Sequence, residues 1–197
     1  MPSSIILASQ SPRRQQLMQW AEIAFDVMVR HTEEDFPASM PPEEVPVFIA
    51  EKKANAVAGY LQQTQPKKFA DSTLVAADTV VVLGDEIIGK PLNREDAIRI
   101  LMKLSGNIHR VITGVYICNP RVQLSFFDVT EVSFYPLEEQ QVAHYVDIYK
   151  PFDKAGAYAI QEWIGVTGIQ SIKGDFYNVM GLPIARVVKS LQQLKVI

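Results

Sequence analysis

The apolar patterns along this 197-residue chain predict an α/β fold. Residues 74–83 are nearly all apolar and rich in β-branched side chains, which is typical of a strand buried on both faces. Apolar residues recur at helical spacing over residues 12–21 and 44–61. Polar and apolar residues partly alternate over residues 108–118 and 122–134, which predicts an antiparallel pair of strands with one wetter face.

The first part of the chain predicts a strand over residues 5–8 that leads directly into a helix. Pro12 suits the first position of that helix, because it lacks an N–H group that would need a partner, and Ser11 suits the N-cap. A second strand is predicted over residues 25–30. Residues 31–44, which are acidic and rich in proline, predict a loop over a surface or a cleft.

Turn and capping residues divide the rest of the chain into elements. Gly84 and Asp85 predict a hairpin turn after the buried strand. Asn93 is expected to cap a helix that Gly106 ends, with Asp96 at its third position. The last third predicts a helix over residues 138–147, a strand over residues 165–173 and a helix that begins at Pro183.

The composition narrows the class of protein. Hydrophobic residues make up 48% of the chain, which is enough for a substantial core, and the net charge of −3 provides no general attraction for nucleic acid. A single cysteine, Cys118, excludes an internal disulfide framework and predicts a buried small side chain. We find no signal peptide and no apolar run long enough to span a membrane, so a cytoplasmic protein is expected.

Asp78 is an acidic residue in the middle of the buried strand. An unpaired carboxylate there would cost several kcal/mol, so we expect it to meet a cation, a metal ion or hydrogen-bond donors, or to face a cleft. The alternative is a structural aspartate that caps a neighbouring turn. Gly89-Lys90-Pro91 forms a second tight turn, and the intervening hairpin is expected to bring Lys90 to the same rim as Asp78.

The segment SQSPRR carries two hydroxyl groups and two guanidinium groups from a strand end to a helix N-terminus. Free N–H groups and the helix dipole favour an anion there, and arginine offers paired donors to phosphate. Ser9, Ser11, Arg13 and Arg14 are therefore candidate phosphate-binding residues. The alternative is an ordinary capped helix with solvated arginines; the segment lacks the glycines of a P-loop.

Two further clusters have both a functional and a structural interpretation. Glu33, Glu34 and Asp35 are either a solvated acidic turn or, beside a phosphate site, ligands for Mg²⁺. Lys53 lies on the predicted helix 44–61, where a lysine is normally solvated. The three histidines are widely separated and there is no zinc-binding spacing, so a zinc site is not expected.

The densest polar cluster covers residues 150–161. Asp153 and Lys154 precede Ala-Gly-Ala, which permits close approach of a backbone, and the chain is then expected to return to a strand that ends at Gln161. The Gln161 amide can read the edge of a base. The alternative is a surface turn with a casual ion pair.

These motifs together resemble one family over almost the whole chain, the Maf family of nucleotide pyrophosphatases. The resemblance rests on six blocks in the order and at the spacing of that family: SQSPRR (9–14), AADTVV (76–81), GKP (89–91), SGNIHRVITGV (105–115), DKAGAYAIQ (153–161) and NVMGLP (178–183). It implies one chain of two lobes built on a mixed sheet, similar to inosine-triphosphate pyrophosphatase, with a nucleotide in a central cleft. It also implies metal-dependent hydrolysis between the α- and β-phosphates, with Mg²⁺ or Mn²⁺ as cofactor.

The resemblance assigns roles residue by residue. It implies that Asp78 is the general base and that Arg13, Thr79 and Gln161 discriminate between substrates. Thr79 and Gln161 resemble the branch that acts on dTTP and UTP rather than on methylated GTP. The other polar pocket positions match Ser9, Glu34, Lys53 and Lys90, with Glu34 and Asp78 steadying the metal.

Two positions depart from the family pattern. Lys150 stands where most members have an acidic residue, which would alter contacts on the rim. Glu162-Trp163 follows the glutamine where many members have glycine, which would narrow the base end of the pocket.

Alternative functions use the same features differently. The chain could be a nucleotide-binding regulator of septum formation, and hence of cell division, without significant turnover. A nucleic-acid-binding protein is disfavoured by the net negative charge, and a modified or non-standard nucleotide is a further substrate candidate. A homodimer is a family-level expectation.

Overall fold

The computed structural model describes residues 4–197 as a mixed α/β fold, as predicted. The strands are β1 (Ser4–Leu7), β2 (Asp26–Val27), β3 (Ser72–Leu83), β4 (Glu86–Ile88), β5 (Ile108–Asn119), β6 (Val122–Phe134) and β7 (Ile169–Lys173). The helices are α1 (Pro12–Trp20), α2 (Val45–Thr64), α3 (Pro66–Ala70), α4 (Arg94–Leu104), α5 (Glu139–Tyr149), α6 (Trp163–Gly168), α7 (Phe176–Met180) and α8 (Ile184–Gln193). The strand order is β2-β1-β3-β5-β6-β7, and β4 pairs with β3.

The chain folds into two compact units. Among the described residues, unit 1 contains residues 4–78, Thr113–Asp128 and Gly181–Ile197; unit 2 contains Thr79–Ile112 and Val129–Met180. Strands β3, β5 and β6 contribute residues to both units. The expected nucleotide cleft between two lobes stays a prediction.

Unit 1 is built around parallel strands. Strand β1 pairs in parallel with β2 on one side and with the first half of β3 on the other. Helix α2 buries its apolar stripe against these strands, in a core with the following members: Ile6, Ala8, Ala50, Ala54, Val57, Leu61, Leu74, Ala76, Tyr116 and Cys118. Cys118 is thus the buried small side chain that the sequence predicted.

Unit 2 is built around antiparallel pairs. The second half of β3 turns at Gly84 and pairs with β4, as predicted, and β6 pairs with β7. Asn93 caps α4 by accepting the N–H of Asp96 at 2.9 Å, so the predicted cap is confirmed. Tyr145 and Phe134 are among the largest fully buried side chains.

Three predicted elements near the site are wrong in extent or type. The strand expected over residues 25–30 is only Asp26–Val27, because its partner β1 ends at Leu7. Residues 158–161, which were expected to be a strand ending at Gln161, do not form one, and Gln161 lies in a turn instead. The segment expected as a strand over residues 165–173 begins as helix α6, because the N–H groups of Gly165 and Val166 both donate to the carbonyl of Glu162.

Two smaller expectations also differ from the structure. Pro183 is the N-cap of α8 and not its first helical residue. A face accessible to water was expected on both long strands, but only β6 has one. Strand β5 lies between β3 and β6 and is buried from Val111 to Cys118.

Candidate active site

Asp78 meets a cation, as its burial required. It lies in the buried middle of β3, where the residue is 9% exposed, and the ammonium group of Lys53 donates to its Oδ1 at 2.6 Å. The ion pair is shielded from water, since the side chains of Lys53 and Asp78 are 18% and 12% exposed. The cation offsets the cost of keeping a carboxylate inside the sheet.

Lys53 joins a second carboxylate to the first. It lies on α2 and also donates to Oε1 of Glu34 at 2.7 Å, so Glu34 and Asp78 bind the same ammonium group. Helix α2 buries Ala50, Ala54 and Val57 against the sheet. Lys53 is next to Ala54 and therefore lies at the edge of the buried face, which explains why it is not solvated in the usual way.

A neighbouring pair shows what an ordinary surface lysine does on the same helix. Lys52 donates to Oδ1 of Asp35, whose side chain is 79% exposed. This hydrogen bond lowers the pKa of Asp35 below its usual value. The predicted acidic cluster is therefore divided: Glu34 joins the Asp78 group, whereas Asp35 pairs separately.

The SQSPRR segment connects β1 to α1: Ser9 to Ser11 precede the helix, and its first turn contains Pro12, Arg13 and Arg14. Ser9 is buried, and its Oγ accepts the N–H of Ser11 at 3.2 Å and Nη1 of Arg14 at 3.2 Å. Ser11 is the N-cap of α1 by position, but its side chain makes no capping bond. The connection therefore holds the Ser9 hydroxyl inward and leaves the Ser11 side chain half-buried.

Arg14 differs from the solvated arginine of the alternative interpretation. It is buried, and its Nε donates to the carbonyl oxygen of Gly181 at 2.7 Å. Burial lowers the pKa of Arg14, partly offset by the negative charge of Asp78. Arg14 thus ties the start of α1 to the segment before α8, while Arg13 is half-buried in the same helical turn.

The pair of carboxylates fits a small divalent cation that a substrate helps to hold. Oxygen ligands suit Mg²⁺, which usually keeps one or two protein carboxylates and completes its shell with water and phosphate oxygens. Glu34 and Asp78 place two such oxygens around one cation already, the ammonium group of Lys53. Residues 4–197 contain no group of three or more acidic, histidine or cysteine side chains able to hold a metal by themselves.

Unit 2 brings two of the sequence motifs together. The N–H of Gly156 donates to the carbonyl of Gly89 at 3.1 Å, which joins DKAGAY to GKP. Gly156 has a φ of +71° and Val81 packs where a β-carbon would stand, so only glycine fits there. Lys90 follows Gly89 and is exposed; Thr79 is half-buried on β3, directly after Asp78.

Lys154 is not part of a casual surface pair. The residue is 8% exposed, and its ammonium group donates to Oδ1 of Asp153 at 2.8 Å and lies 3.8 Å from Oε1 of Glu162. Asp153 itself is exposed, with 65% of its side chain accessible. Gln161 is exposed at a turn, so its amide is available for a ligand.

No motif in the sequence predicted a role for Tyr145. Its ring is fully buried on α5, and its hydroxyl donates to Oε2 of Glu162 and accepts the N–H of Ala159 at 3.2 Å. A tyrosine inside an apolar helical stripe needs a partner for its hydroxyl, and that requirement was the available signal. The Glu162 carboxylate therefore contacts both the Tyr145 hydroxyl and the Lys154 ammonium group. The expectation that Glu162-Trp163 narrows the base end of a pocket stays a prediction.

The structure thus assembles the predicted residues into local groups. In unit 1, Asp78, Lys53 and Glu34 are in contact, and Ser9 contacts Arg14. In unit 2, Lys154 contacts Asp153. The roles of all these residues, and the expectation that Lys90 shares a rim with Asp78, stay predictions.

None of the helices between residues 4 and 197 is both long enough and apolar enough to cross a membrane.

Comparison with known proteins identifies relatives over nearly the full length. The model of the family described as Maf-like protein matches residues 4–194. A dTTP/UTP pyrophosphatase of Cytophaga hutchinsonii is 46% identical over 192 residues, which are 98% of this chain and 84% of that protein. A dTTP/UTP pyrophosphatase of Phocaeicola vulgatus is 44% identical over 96% of this chain and 95% of its own length. A Bacteroides fragilis protein of the same description is 44% identical, with the same two shares covered.

Proposed function

Because this chain belongs to the Maf family, we propose that it is a nucleoside triphosphate pyrophosphatase that hydrolyses dTTP and UTP to the monophosphate and pyrophosphate. The observation that carries the proposal is the carboxylate of Asp78, held within a buried strand by Lys53. A charged pair in that position is costly to the fold. A hydrolytic role gives a reason for keeping it.

The reaction needs a proton acceptor for the attacking water. In-line hydrolysis of a phosphoanhydride requires an oriented water molecule and a base near it. We assign both tasks to Asp78: one oxygen is fixed by Lys53, so the carboxylate has a defined orientation. The proton passes from water to the carboxylate as the water oxygen attacks the α-phosphorus and pyrophosphate leaves.

The reaction also needs positive charge around the triphosphate. We assign this task to Arg13, Lys53 and Lys90, with N–H and hydroxyl donors from the turn at Ser9 and Ser11. Two donors of Arg14 are already used for Gly181 and Ser9, which supports a role in holding this turn in shape.

A divalent cation, Mg²⁺ or Mn²⁺, is part of the proposal. Glu34 and Asp78 would hold it, since their oxygens share one cationic partner already. When bound, it would neutralise negative charge on the phosphates.

Recognition of the pyrimidine base is assigned to Thr79 and Gln161. Their hydroxyl and amide groups can donate and accept hydrogen bonds at the edge of a base. Asp153 and Lys154, which precede Gln161 in the sequence, are assigned to substrate binding. Asp153 keeps the Lys154 ammonium group in place.

The test is pyrophosphate release from a panel of triphosphates. Purified protein is incubated with dTTP, UTP, dCTP and dGTP, each with Mg²⁺, with Mn²⁺ or with EDTA. We expect release from dTTP and UTP in the presence of metal and little from dGTP. Release from none of the four would overturn the proposal.

The same experiment separates the enzyme from a regulator of septum formation. A regulator would bind dTTP in calorimetry without releasing pyrophosphate. A cytoplasmic location, which was expected from the sequence features, and a homodimer, which was expected from the family resemblance, are further expectations, and light scattering of the purified protein tests the second.

A further inference from the structure

Gln161 lies in a turn whose backbone is fixed at several points. The N–H of Glu162 donates to the carbonyl of Ala159 at 3.1 Å, which closes the turn around Ile160 and Gln161. The carbonyl of Ile160 lies against Gly165, so closely that a β-carbon at that position would collide with it. The exposed Gln161 side chain is therefore carried by a turn with little freedom.

The Tyr145 hydroxyl forms hydrogen bonds to both ends of this turn. Its hydroxyl accepts the N–H of Ala159 at 3.2 Å and donates to the carboxylate of Glu162. One buried group therefore binds the residue two positions before Gln161 and the residue directly after it. The ring is fully buried and stacks on Tyr149, with centroids 5.0 Å apart, so the hydroxyl has a fixed position.

Glu162 also reaches the neighbouring binding segment. Its Oε1 lies 3.8 Å from the ammonium group of Lys154, which is itself bound to Asp153. The Glu162 side chain is 22% exposed, which limits screening of this contact by water. Its carboxylate thus joins the turn of Gln161 to Lys154.

We propose that Tyr145 and Glu162 are positioning residues for base recognition: the hydroxyl–carboxylate pair fixes the Ala159–Glu162 turn so that the Gln161 amide meets the pyrimidine edge at a set place. The inference rests on the proposed function, because it assumes that Gln161 reads the base. Neither Tyr145 nor Glu162 touches the substrate. Their contribution is the orientation of Gln161.

The test measures specificity in Tyr145→Phe, which removes the hydroxyl and keeps the buried ring. We expect the KM for dTTP to rise about three- to tenfold, the range for loss of one net hydrogen bond, with a smaller change in kcat. The ratio of kcat/KM for dTTP to that for dGTP should fall. A merely structural effect would lower the melting temperature and leave this ratio unchanged, and that result would overturn the inference.

Three further variants keep the test decisive. Glu162→Gln retains an acceptor for the Tyr145 hydroxyl and should keep most of the specificity, whereas Glu162→Ala should lose it. Tyr149→Phe is the matched control, since it removes a hydroxyl from the ring stacked on Tyr145, and it should match the unmodified protein.

A double-mutant cycle connects the pair to Gln161. If Tyr145 acts through Gln161, Tyr145→Phe should change specificity little in a Gln161→Ala background. Full additivity of the two effects would overturn the inference. Failure of the proposed function is a different result: the unmodified protein would then release no pyrophosphate from dTTP at all.

Discussion

Asp78 and His109 are both titratable groups buried in strands, but their surroundings differ. Asp78 in unit 1 meets the ammonium group of Lys53 at 2.6 Å. His109 in unit 2 meets the Tyr158 hydroxyl at 2.7 Å and packs against the Phe134 ring, and within residues 4–197 its Nδ1 has no hydrogen-bond partner. Burial lowers the pKa of His109 to about 4. The first site is built to hold a charge and the second to exclude one.

The proposed base and the buried histidine therefore differ in how their charge is accommodated. If Asp78 took a proton, the ammonium group of Lys53 would still be paired with the Glu34 carboxylate, so no unpaired charge would remain in the core. A buried neutral imidazole that lies tilted against one aromatic ring and edge-on to another contributes apolar area and one hydrogen bond. Burial alone therefore does not distinguish the two groups, whereas the presence of a counter-charge does.

The largest expected effect is on turnover in Asp78→Asn. The amide keeps the shape and one acceptor oxygen but cannot accept a proton from water, so kcat for dTTP should fall by about 10²- to 10⁴-fold. Pyrophosphate release at saturating dTTP measures it. Asp35→Asn is the matched control, because Asp35 pairs with Lys52 at an exposed position, and normal turnover in Asp78→Asn would refute the assignment of the base.

Removal of the counter-charge should destabilise the fold next most. Lys53→Met keeps the length and apolar stem and leaves Asp78 without its ammonium partner, which should cost about 3 kcal/mol in the free energy of unfolding. Urea denaturation at pH 7 measures it. Lys52→Met should cost far less, since its partner Asp35 is exposed. Adding Asp78→Asn should recover part of the loss; no recovery would show that the two side chains are not coupled.

His109 should make stability fall in acid. Its pKa in the folded state, about 4, lies below the ordinary 6.5, so the unfolded chain binds the extra proton between these values. The neutral ring is fully compatible with folding above about pH 6.5. Stability should decrease as the pH falls from there to about 4, by about 3 kcal/mol in total.

The measurement compares the unmodified protein with His109→Gln, which cannot titrate and keeps an amide that can bond to Tyr158. Denaturation is measured from pH 4 to pH 7.5. The free energy of unfolding of the unmodified protein, relative to that of His109→Gln, should decrease toward low pH. Parallel curves would mean that His109 does not contribute to the acid sensitivity.

The smallest effect is expected at an exposed pair. Arg94 donates to both carboxylate oxygens of Asp147, at 2.6 and 2.9 Å, and both side chains are about half accessible to solvent. Water and salt screen such pairs, so Arg94→Gln should leave the unfolding midpoint within experimental error. A clear loss of stability in Arg94→Gln would show that the geometry of an ion pair contributes more to stability than its burial does. That result would contradict the contrast between the buried Asp78–Lys53 pair and exposed pairs.

The sequence predicted the elements around Asp78 better than it predicted the segment that carries Gln161. The strand around Asp78, the cap at Asn93 and the hairpin turn at Gly84 each follow from local patterns, and the structure contains them. The segment before Gln161 was expected to be a strand and is a turn. Its shape depends on Gly165 packing against the Ile160 carbonyl and on the Tyr145 hydroxyl, contacts that no local pattern encodes.

By itself the sequence determined the alternation of strands and helices, the family and the presence of a carboxylate that had to meet a partner. The family follows from the resemblance of the six motifs. The elements and the carboxylate follow from periodicity, capping and desolvation, which act between neighbouring positions or on a single side chain. Only the tertiary structure decided that the partner of Asp78 is Lys53, which is 25 residues away, and that Arg14 bonds to Gly181, 167 residues away. Such pairings depend on which elements the whole core brings side by side, because a long-range contact has no signal in the residues around either partner.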